Sequence, residues 1–295
     1  MKGSRINERW VYLNGQFVRH QNAKISVFDR GFLFGDSVYE NIPVYFRKPR
    51  KLDWHLERLE NSLLKIHITI DISAFNLKTV IFDLINRHDD EHQSVYLQIS
   101  RGQYSTRCHA LPNVITPTIV IFTKPLTLPT IDSLSNGYQL ITAEDIRWRY
   151  TSIKTTNLLP NILQLHQAIV HNAEEAILIR DQQVIEGTCS NIFLVKNGVV
   201  LTPPEQNGML SGITRKIVLN LLNEHSISYV ERAISKHELY VANELWFTNS
   251  IDGIAPISHL DKQPIGSGKS GPLWKKIYNS YLNYLQNEAV HLCEQ

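Results

Sequence analysis

Cysteine is scarce in this sequence. Its 295 residues include only three cysteines, Cys108, Cys189 and Cys293, which are widely separated and show no CxxC spacing. An odd and sparse set of this kind argues against a disulfide framework and against a cysteine zinc site. It is typical of a reducing compartment, and we therefore expect a cytoplasmic protein.

Long apolar runs and an excess of one charge are also missing. No stretch reaches the roughly 18 apolar residues that a membrane span requires, and the first residues lack the apolar core of a signal peptide. The net charge is only +2, which gives no electrostatic basis for binding nucleic acid. Hydrophobic residues make up 43% of the chain, so it can bury a sizeable core. We therefore expect a globular protein with neither nucleic acid nor a membrane as a partner.

Several common catalytic motifs are absent as well. The sequence has no GxxxxGK[ST] loop and no GxSxG turn, so neither of these nucleotide-binding and hydrolase motifs supports a function. Its twelve histidines include no HExxH pair, so zinc hydrolysis has no support either. We therefore expect no metal.

The length of the chain suffices for one large domain or two ordinary ones. In the second half of the chain, strand-like and helix-like segments alternate. The segment 124–131 contains two prolines and no amphipathic pattern, which is typical of a linker. We therefore predict a domain boundary at this linker, with an N-terminal domain over 1–123 and a C-terminal domain over 132–295.

Some segments carry strong local signals. Asn14-Gly15 and Asn197-Gly198 each predict a type I′ hairpin turn, because both residue types tolerate positive φ. Asp53 is predicted to cap a helix that runs to about residue 68. The segment 29–40 holds two glycines and four charges, and it is predicted to be a constrained turn without regular structure.

Lys154 lies at a predicted junction between an extended segment and a helix. Residues 138–148 form the extended run. Thr155, Thr156 and Asn157 are residue types that cap helices, and an apolar face at helical spacing follows: Leu158, Leu159, Ile162, Leu163 and Leu165. Catalytic groups are often held at such junctions, although a single lysine is more often an ordinary surface charge.

Four groups of residues suit one cofactor, pyridoxal phosphate. It needs an amine for a Schiff base and an anion beside its ring nitrogen, and Lys154 and Glu186 could supply them. It also needs a phosphate site, which the predicted helix start at 212–214 and the cation of Arg58 could provide. Spacing alone makes this a weak inference, since any chain of this length contains such residues.

The order of several short motifs is more specific. The motifs are Asp29-Arg30-Gly31 through Tyr39-Glu40, His55-Leu56-Glu57-Arg58-Leu59, Ile153-Lys154 with Asn157-Leu158-Leu159, Glu174-Glu175-Ala176-Ile177, Glu186-Gly187 through Ser190-Asn191-Ile192-Phe193, and Gly212-Ile213-Thr214-Arg215. In this order the sequence resembles the fold-type IV pyridoxal-phosphate enzymes. That family includes D-amino acid aminotransferase, branched-chain aminotransferase and aminodeoxychorismate lyase. The resemblance covers nearly the whole chain, from Trp10 to about Tyr281.

The resemblance implies both a fold and a site. It implies an N-terminal α/β domain, a β-barrel-like α/β domain after it, and a homodimer whose partner subunit lends groups to the site. Lys154 would form the Schiff base and act as the general base, and Glu186 would pair with the ring nitrogen. The cofactor-binding residues would be Arg58, Lys154, Glu186, Leu210, Gly212, Ile213, Thr214, Asn249 and Ser250.

Within the family, the sequence is most similar to D-amino acid aminotransferase. Those enzymes bind the substrate α-carboxylate with a tyrosine and an Arg-x-His pair, which Tyr39, Arg107 and His109 match here. Two donors and a phenol suit a carboxylate, because charge-assisted hydrogen bonds orient it. We therefore predict a transaminase that moves the amino group of a D-alanine-like amino acid to a 2-oxo acid such as 2-oxoglutarate.

Three other interpretations stay open. Asn249-Ser250 is similar to the corresponding turn of aminodeoxychorismate lyases, which make 4-aminobenzoate for folate synthesis. A branched-chain aminotransferase fits less well, since Val38-Tyr39-Glu40-Asn41 departs from its pattern. A protein that only binds a ligand would leave the matched cofactor residues unexplained. Arg149-Tyr150 is also atypical, which leaves the substrate side open.

Overall fold

The computed structural model describes residues 9–205 and 208–291, and the chain divides into two compact units. The first unit comprises residues 1–127 together with the short segment 153–157, and the second comprises 128–152 and 158–295. The segment that carries Lys154 therefore belongs to the first unit, although the chain on both sides of it belongs to the second. No helix in the described part of the chain is long and apolar enough to cross a bilayer.

The first unit is one antiparallel sheet with helices packed on it. Its elements are β1 Trp10–Leu13, β2 Gln16–Arg19, α1 Arg30–Phe34, β3 Ser37–Tyr45, β4 Lys48–Pro49, α2 Leu52–Lys65, α3 Leu77–Asn86, β5 Gln93–Ser100 and β6 Thr118–Pro125. The six strands follow the order β2-β1-β6-β5-β3-β4. Asn14 and Gly15 join β1 to β2 with φ angles of 48° and 92°, so the predicted hairpin turn is confirmed.

Helices α2 and α3 supply the core of the first unit. On α2, Leu56, Leu59 and Leu63 are buried at spacings of three and four residues, which puts them on one face. On α3, Ile81 and Leu84 are fully buried in the same cluster, which also contains the inward-facing residues of the sheet. This packed face fixes α2, and α2 carries part of the candidate site.

The start of α2 differs from the prediction. Its N-cap residue is Lys51, and Asp53 lies within the first turn, where it pairs with Lys78 at 2.5 Å. The predicted cap at Asp53 is therefore wrong. The carboxylate still lies near the positive end of the helix dipole, where an anion stabilises a helix.

The segment 29–40 contains more regular structure than predicted. The five-residue helix α1 begins after Asp29, whose side chain accepts a hydrogen bond of 2.8 Å from the Gly31 N–H. It ends at Gly35, which has a φ of 66° that favours glycine. The prediction of a turn without regular structure was wrong because both end signals of a short helix were present in the sequence.

The second unit is a larger mixed sheet with helices around it. Its elements are α4 Ile131–Leu134, β7 Tyr138–Glu144, α5 Leu159–Val170, β8 Glu175–Arg180, β9 Gln183–Gly187, β10 Asn191–Lys196, β11 Val199–Thr202, α6 Ile213–Glu224, β12 Tyr229–Glu231, α7 Lys236–Tyr240, β13 Glu244–Asn249, β14 Gly253–Leu260, β15 Gln263–Pro264 and α8 Pro272–His291. The strands follow the order β12-β11-β10-β13-β14-β7-β8-β9, and β15 pairs with β14. The predicted hairpin at Asn197-Gly198 joins β10 to β11 and is confirmed.

The sheet of the second unit must curve back on itself. Strands β9 and β10 are five places apart in the strand order, but only residues 188–190 connect them. Five strand spacings in a flat sheet would span about 24 Å, whereas the four steps from Gly187 to Asn191 reach at most about 14 Å. The connection therefore requires a strongly curved, barrel-like sheet, as the resemblance implied.

The residues after Lys154 do not cap the next helix. The N-cap residue of α5 is Leu158, and it makes no side-chain cap hydrogen bond, so the predicted caps are wrong. Instead, Thr156 forms a short hydrogen bond with Ser37, and the Asn157 side chain donates to the Gly35 carbonyl at 3.2 Å. These polar side chains thus fasten the lysine segment within the first unit.

Candidate active site

Lys154 is fixed through its backbone beside strand β3. Its carbonyl accepts a hydrogen bond of 2.9 Å from the Tyr39 N–H, and its own N–H donates to the Ser62 hydroxyl at 3.3 Å. The half-buried amine lies 4.3 Å from the centre of the Tyr39 ring. Among the side chains that the structure describes, it forms no ion pair with a carboxylate, so its charge is not neutralised by a neighbour.

A buried charge cluster lies directly behind Tyr39. The fully buried Glu40 accepts hydrogen bonds of 2.8 and 2.7 Å from Arg58, and His55 Nδ1 lies 2.7 Å from the same carboxylate. Burial alone would raise the pKa of Glu40, but the charge of Arg58 and the hydrogen bonds from Arg58 and His55 outweigh it and lower the pKa to about 2. Glu40 is therefore ionised at neutral pH and orients Arg58.

The structure brings three predicted site residues together in the first unit. Tyr39 and Glu40 are neighbours on β3, so their side chains point to opposite faces of the sheet, and the Tyr39 ring faces Lys154. Arg58 reaches Glu40 from α2 through Nε and one terminal nitrogen. Its phosphate-binding role stays a prediction.

Glu186, at the end of β9, is held at both carboxylate oxygens. Arg147 donates to Oε1 at 2.5 Å, and the Leu210 N–H donates to Oε2 at 3.1 Å. Burial raises the pKa of Glu186 above its ordinary value, and the opposing charge of Arg147 does not cancel this effect. A further cation beside Oε2 would therefore help to keep this carboxylate ionised.

Arg147 belongs to an alternating chain of charges in the second unit. It donates to the buried Asp145 at 2.9 and 3.0 Å, and Asp145 in turn accepts a hydrogen bond of 2.7 Å from Arg180. Burial opposes ionisation of Asp145, but the hydrogen bond and charge of Arg147 outweigh it and lower its pKa. The contacts with Asp145 therefore orient the Arg147 guanidinium towards Glu186.

The predicted phosphate segments lie together at the start of α6. The Thr214 hydroxyl donates to the Asn249 carbonyl at 2.9 Å, which joins the helix start to the turn after β13. Among the described residues no side chain caps α6 at Gly212, so the first N–H groups of the helix have no capping acceptor. A Cβ at Gly212 would lie 1.9 Å from Asn191 Oδ1, so any larger residue there would displace the buried Asn191 side chain.

Arg107 and His109 lie on an exposed loop of the first unit. The Arg107 guanidinium lies 5.0 Å from the centre of the Phe34 ring, and the His109 ring meets the same ring edge-on at 5.3 Å. Among the described residues, no hydrogen bond joins this pair to Tyr39 or Lys154. The structure thus brings the pair together, and its role towards substrate stays a prediction.

Sequence reasoning missed the residues that support the predicted ones. Arg147 and Asp145 lie in an irregular segment after β7, and nothing in their spacing distinguishes them from the neighbouring Arg149. Glu40 and His55 fall inside the motifs that carried the resemblance. Their positions in the sequence do not indicate that Glu40 binds both His55 and Arg58. Only the folded chain shows these pairs.

Comparisons with known proteins identify the family of this chain. A model of the family described as amino-transferase class IV matches residues 37–260. This chain belongs to the class IV aminotransferases. A D-alanine aminotransferase from Bacillus licheniformis is 37% identical over 280 residues, which cover 95% of this chain and 98% of that protein. The predicted family is therefore confirmed.

Solved structures confirm the fold-type IV architecture of this class IV aminotransferase. The branched-chain amino acid aminotransferase from Escherichia coli matches with a TM-score of 0.84 at 25% identity, covering 93% of both chains. A Legionella pneumophila structure assigned as 4-amino-4-deoxychorismate lyase matches with a TM-score of 0.79 at 26% identity, covering 90% of this chain and 97% of that chain.

The cofactor of class IV aminotransferases is pyridoxal phosphate. It supplies an aldehyde that condenses with amines and a ring that withdraws electrons from the substrate. The donor set of this chain fits it. Lys154 offers an amine without a carboxylate partner among the described side chains, Glu186 offers an oriented anion, and the uncapped start of α6 offers N–H groups for a phosphate.

Proposed function

We propose that this aminotransferase moves the amino group of a D-alanine-like D-amino acid to a 2-oxo acid such as 2-oxoglutarate. The observation that carries the proposal is that Arg107 and His109 both contact the ring of Phe34. Two donors held side by side suit the two oxygens of an α-carboxylate. The D-alanine aminotransferase that is 37% identical over 95% of the chain supports the choice of a D-amino acid.

In this proposal Lys154 carries the proton between substrate and cofactor. Its backbone is held by the hydrogen bonds to Tyr39 and Ser62, and its amine would act as the general base that removes the proton from the substrate Cα. Glu186 would pair with the ring nitrogen of the cofactor, whose protonated ring would supply the electron acceptor. Arg58, the start of α6 and the Asn249-Ser250 turn would bind the phosphate.

The test is the choice between enantiomers. The purified protein is supplied with D-alanine or L-alanine and 2-oxoglutarate, and pyruvate is measured with a coupled dehydrogenase. We expect pyruvate and glutamate from D-alanine and at most slow turnover of L-alanine. Turnover of L-amino acids alone would show that the proposed substrate class is wrong.

One observation favours a second candidate, a 4-amino-4-deoxychorismate lyase. The turn Asn249-Ser250 is similar to the corresponding turn in those enzymes, and the Legionella structure assigned to that activity matches over 90% of this chain. Such an enzyme would release pyruvate and 4-aminobenzoate without needing a 2-oxo acid. Growth of a 4-aminobenzoate auxotroph on the cloned sequence would favour the lyase, and failure to grow would favour the transaminase.

We further propose that the enzyme is a homodimer and that α5 lies in the interface. Helix α5 buries a polar side chain and exposes apolar ones. The Gln164 side chain is buried and donates a hydrogen bond to the Glu144 carbonyl. The outer face of α5 carries apolar side chains at helical spacing, each more than half exposed: Leu159, Ile162, Leu163, Ile169 and Val170. A soluble monomer rarely leaves such a stripe in water.

A second copy of the same chain is the occupant that fits this stripe. No charged residue interrupts the five apolar side chains, so two copies can meet there without like-charge repulsion. With the exposed Ile146, Trp148 and Tyr150 of the same unit, the apolar side chains offer area on the order of 800 Å², which is what one partner contributes to an interface of standard size. We also propose a cytoplasmic location, which the exposed thiol of Cys108 supports.

A further inference from the structure

The loop that carries Arg107 and His109 has no regular structure of its own. Residues 104–117 contain neither helix nor strand, and the side chains from 103 to 110 are exposed. An arginine on such a loop would lose about 2 kcal/mol of rotamer entropy when a ligand orders it. A loop of this kind binds a carboxylate well only if something orders its donor side chains beforehand.

Phe34 is the side chain that both Arg107 and His109 contact. Its half-buried ring lies at the end of α1, with the Arg107 guanidinium 5.0 Å from the ring centre and the His109 ring at 5.3 Å in an edge-on contact. The Arg30 guanidinium also lies 5.0 Å from the centre of the Phe34 ring. Cations are attracted to the face of an aromatic ring by about 0.5–2 kcal/mol, depending on burial.

Arg30 fixes the loop backbone on both sides of His109. Its Nη1 donates to the Cys108 carbonyl at 2.6 Å and to the Ala110 carbonyl at 3.3 Å, and its Nε donates to Asp36 at 2.8 Å. Arg30 itself is buried. The backbone around His109 is therefore tied to the same short helix that presents the Phe34 ring.

The two arginines on the Phe34 ring differ in their charge partners. Arg30 is neutralised by Asp36, whereas Arg107 has no carboxylate within ion-pair distance in the part of the chain that the structure describes. Arg107 is thus an ordered cation whose charge is still available to an anion. An α-carboxylate has the charge and the two acceptor oxygens that such a site requires.

We infer that Phe34 is a positioning residue for the substrate carboxylate, acting by holding Arg107 and His109 side by side. The inference rests on the proposed function, in which that pair binds the carboxylate. Phe34 itself makes no polar contact, so its effect is on the binding of carboxylate substrates and not on proton transfer.

The test compares Phe34→Leu with Phe34→Tyr, which keeps the ring. In the holoenzyme, Phe34→Leu should raise the KM for D-alanine about tenfold, which corresponds to ~1.4 kcal/mol, with kcat within about twofold of wild type. The Phe34→Tyr variant should have a KM for D-alanine close to that of the wild type. Single-turnover reaction with an amine that lacks a carboxylate, such as 1-phenylethylamine, should proceed at the wild-type rate in both variants.

A double-mutant cycle with Arg107→Ala separates this inference from the proposed function. If Phe34 acts through Arg107, Phe34→Leu should raise KM clearly less in the Arg107→Ala background than alone. If Arg107→Ala leaves KM unchanged, the carboxylate role in the proposed function fails. If Arg107→Ala raises KM but Phe34→Leu does not, or if Phe34→Leu slows 1-phenylethylamine equally, only the role of Phe34 is overturned.

Discussion

Arg147 holds Glu186 in a buried ion pair, with 2.5 Å between Nη1 and Oε1 and less than one tenth of either side chain exposed. The pair leaves Oε2 with a single backbone donor among the described residues, the Leu210 N–H. The carboxylate that is proposed to hold the ring nitrogen is therefore oriented by the protein before any ligand contributes.

Arg147→Met should weaken cofactor binding. Without Arg147, only the Leu210 N–H still opposes the effect of burial on Glu186, so its pKa rises further, and a neutral Glu186 no longer attracts a protonated ring nitrogen. We expect a dissociation constant for pyridoxal phosphate about tenfold higher or more, and a free energy of unfolding of the apoprotein lower by about 3–5 kcal/mol. Fluorescence titration of the apoprotein measures the first quantity, and denaturant unfolding measures the second.

Arg180→Met is the matched control for that experiment. Arg180 contacts Asp145 and not Glu186 in the described network, and it is more exposed than Arg147, so its removal should affect cofactor binding less. Equal losses in the two variants would mean that the ion pair to Glu186 has no special role.

Lys154→Ala should abolish the covalent attachment of the cofactor. We expect turnover to fall by roughly a factor of 10³ or more, because both the nucleophile and the proton carrier are lost. Borohydride reduction followed by peptide mapping should place the label on Lys154 in the wild type and find none in the variant. The exposed Lys24→Ala should behave as the wild type, and a label on any lysine other than Lys154 would contradict the assignment.

Glu40→Gln should change the acid stability of the protein. The pKa of Glu40 is lowered from 4.5 to about 2 in the folded chain, so its contribution to stability is present above pH 4.5 and is lost as the pH falls towards 2. The contribution at neutral pH is about 3 kcal/mol. The free energy of unfolding of the variant should therefore lie below that of the wild type at pH 7, and the gap should close between pH 4.5 and 2.

Urea unfolding at several pH values measures this gap. Glu60→Gln, an exposed carboxylate on the same helix as Arg58, should leave the profile nearly unchanged. A gap for Glu40→Gln that stayed constant from pH 7 to pH 2 would rule out the proposed ionisation.

Leu163→Glu should disrupt the proposed dimer. The glutamate would place a charge within the apolar stripe of α5, and a pair of such charges facing each other is costly when buried. Leu64→Glu on α2 is the matched control, because both leucines are 53% exposed. Analytical ultracentrifugation should show a dimer for the wild type and Leu64→Glu, and a monomer for Leu163→Glu. A Leu163→Glu variant that remained dimeric would exclude α5 from the interface.

Short-range signals were predicted well from the sequence, and partnerships between distant residues were not. The turns at Asn14-Gly15 and Asn197-Gly198 follow from local backbone preferences, so two residues suffice to recognise them. The pair of Arg147 and Glu186 joins positions 39 residues apart, and such a pair is visible only once β7, β8 and β9 are neighbours in one sheet. The ring contacts of Phe34 likewise depend on a loop more than 70 residues away.

The errors near Lys154 have a single physical cause. Thr155, Thr156 and Asn157 are good capping residues in isolation, but their polar groups are used by contacts with Gly35 and Ser37. Tertiary hydrogen bonds thereby replaced the local ones that propensity predicts. The apolar face predicted on α5 exists, but much of it is exposed in the chain. A sequence pattern shows that apolar side chains share one face of a helix, but it does not show which part of the protein packs against that face.

Because residues 153–157 belong to the first unit, cutting the chain between the two units separates them from the rest of that unit. A gene fragment that stops at residue 127 would encode every strand of the first sheet and yet omit the pentapeptide that borders β3 at Val38 and Tyr39. The complementary fragment would carry that pentapeptide without the strand it borders. Split versions of the protein should therefore gain activity only when both pieces are mixed, and a synthetic peptide spanning 153–157 should bind the N-terminal piece.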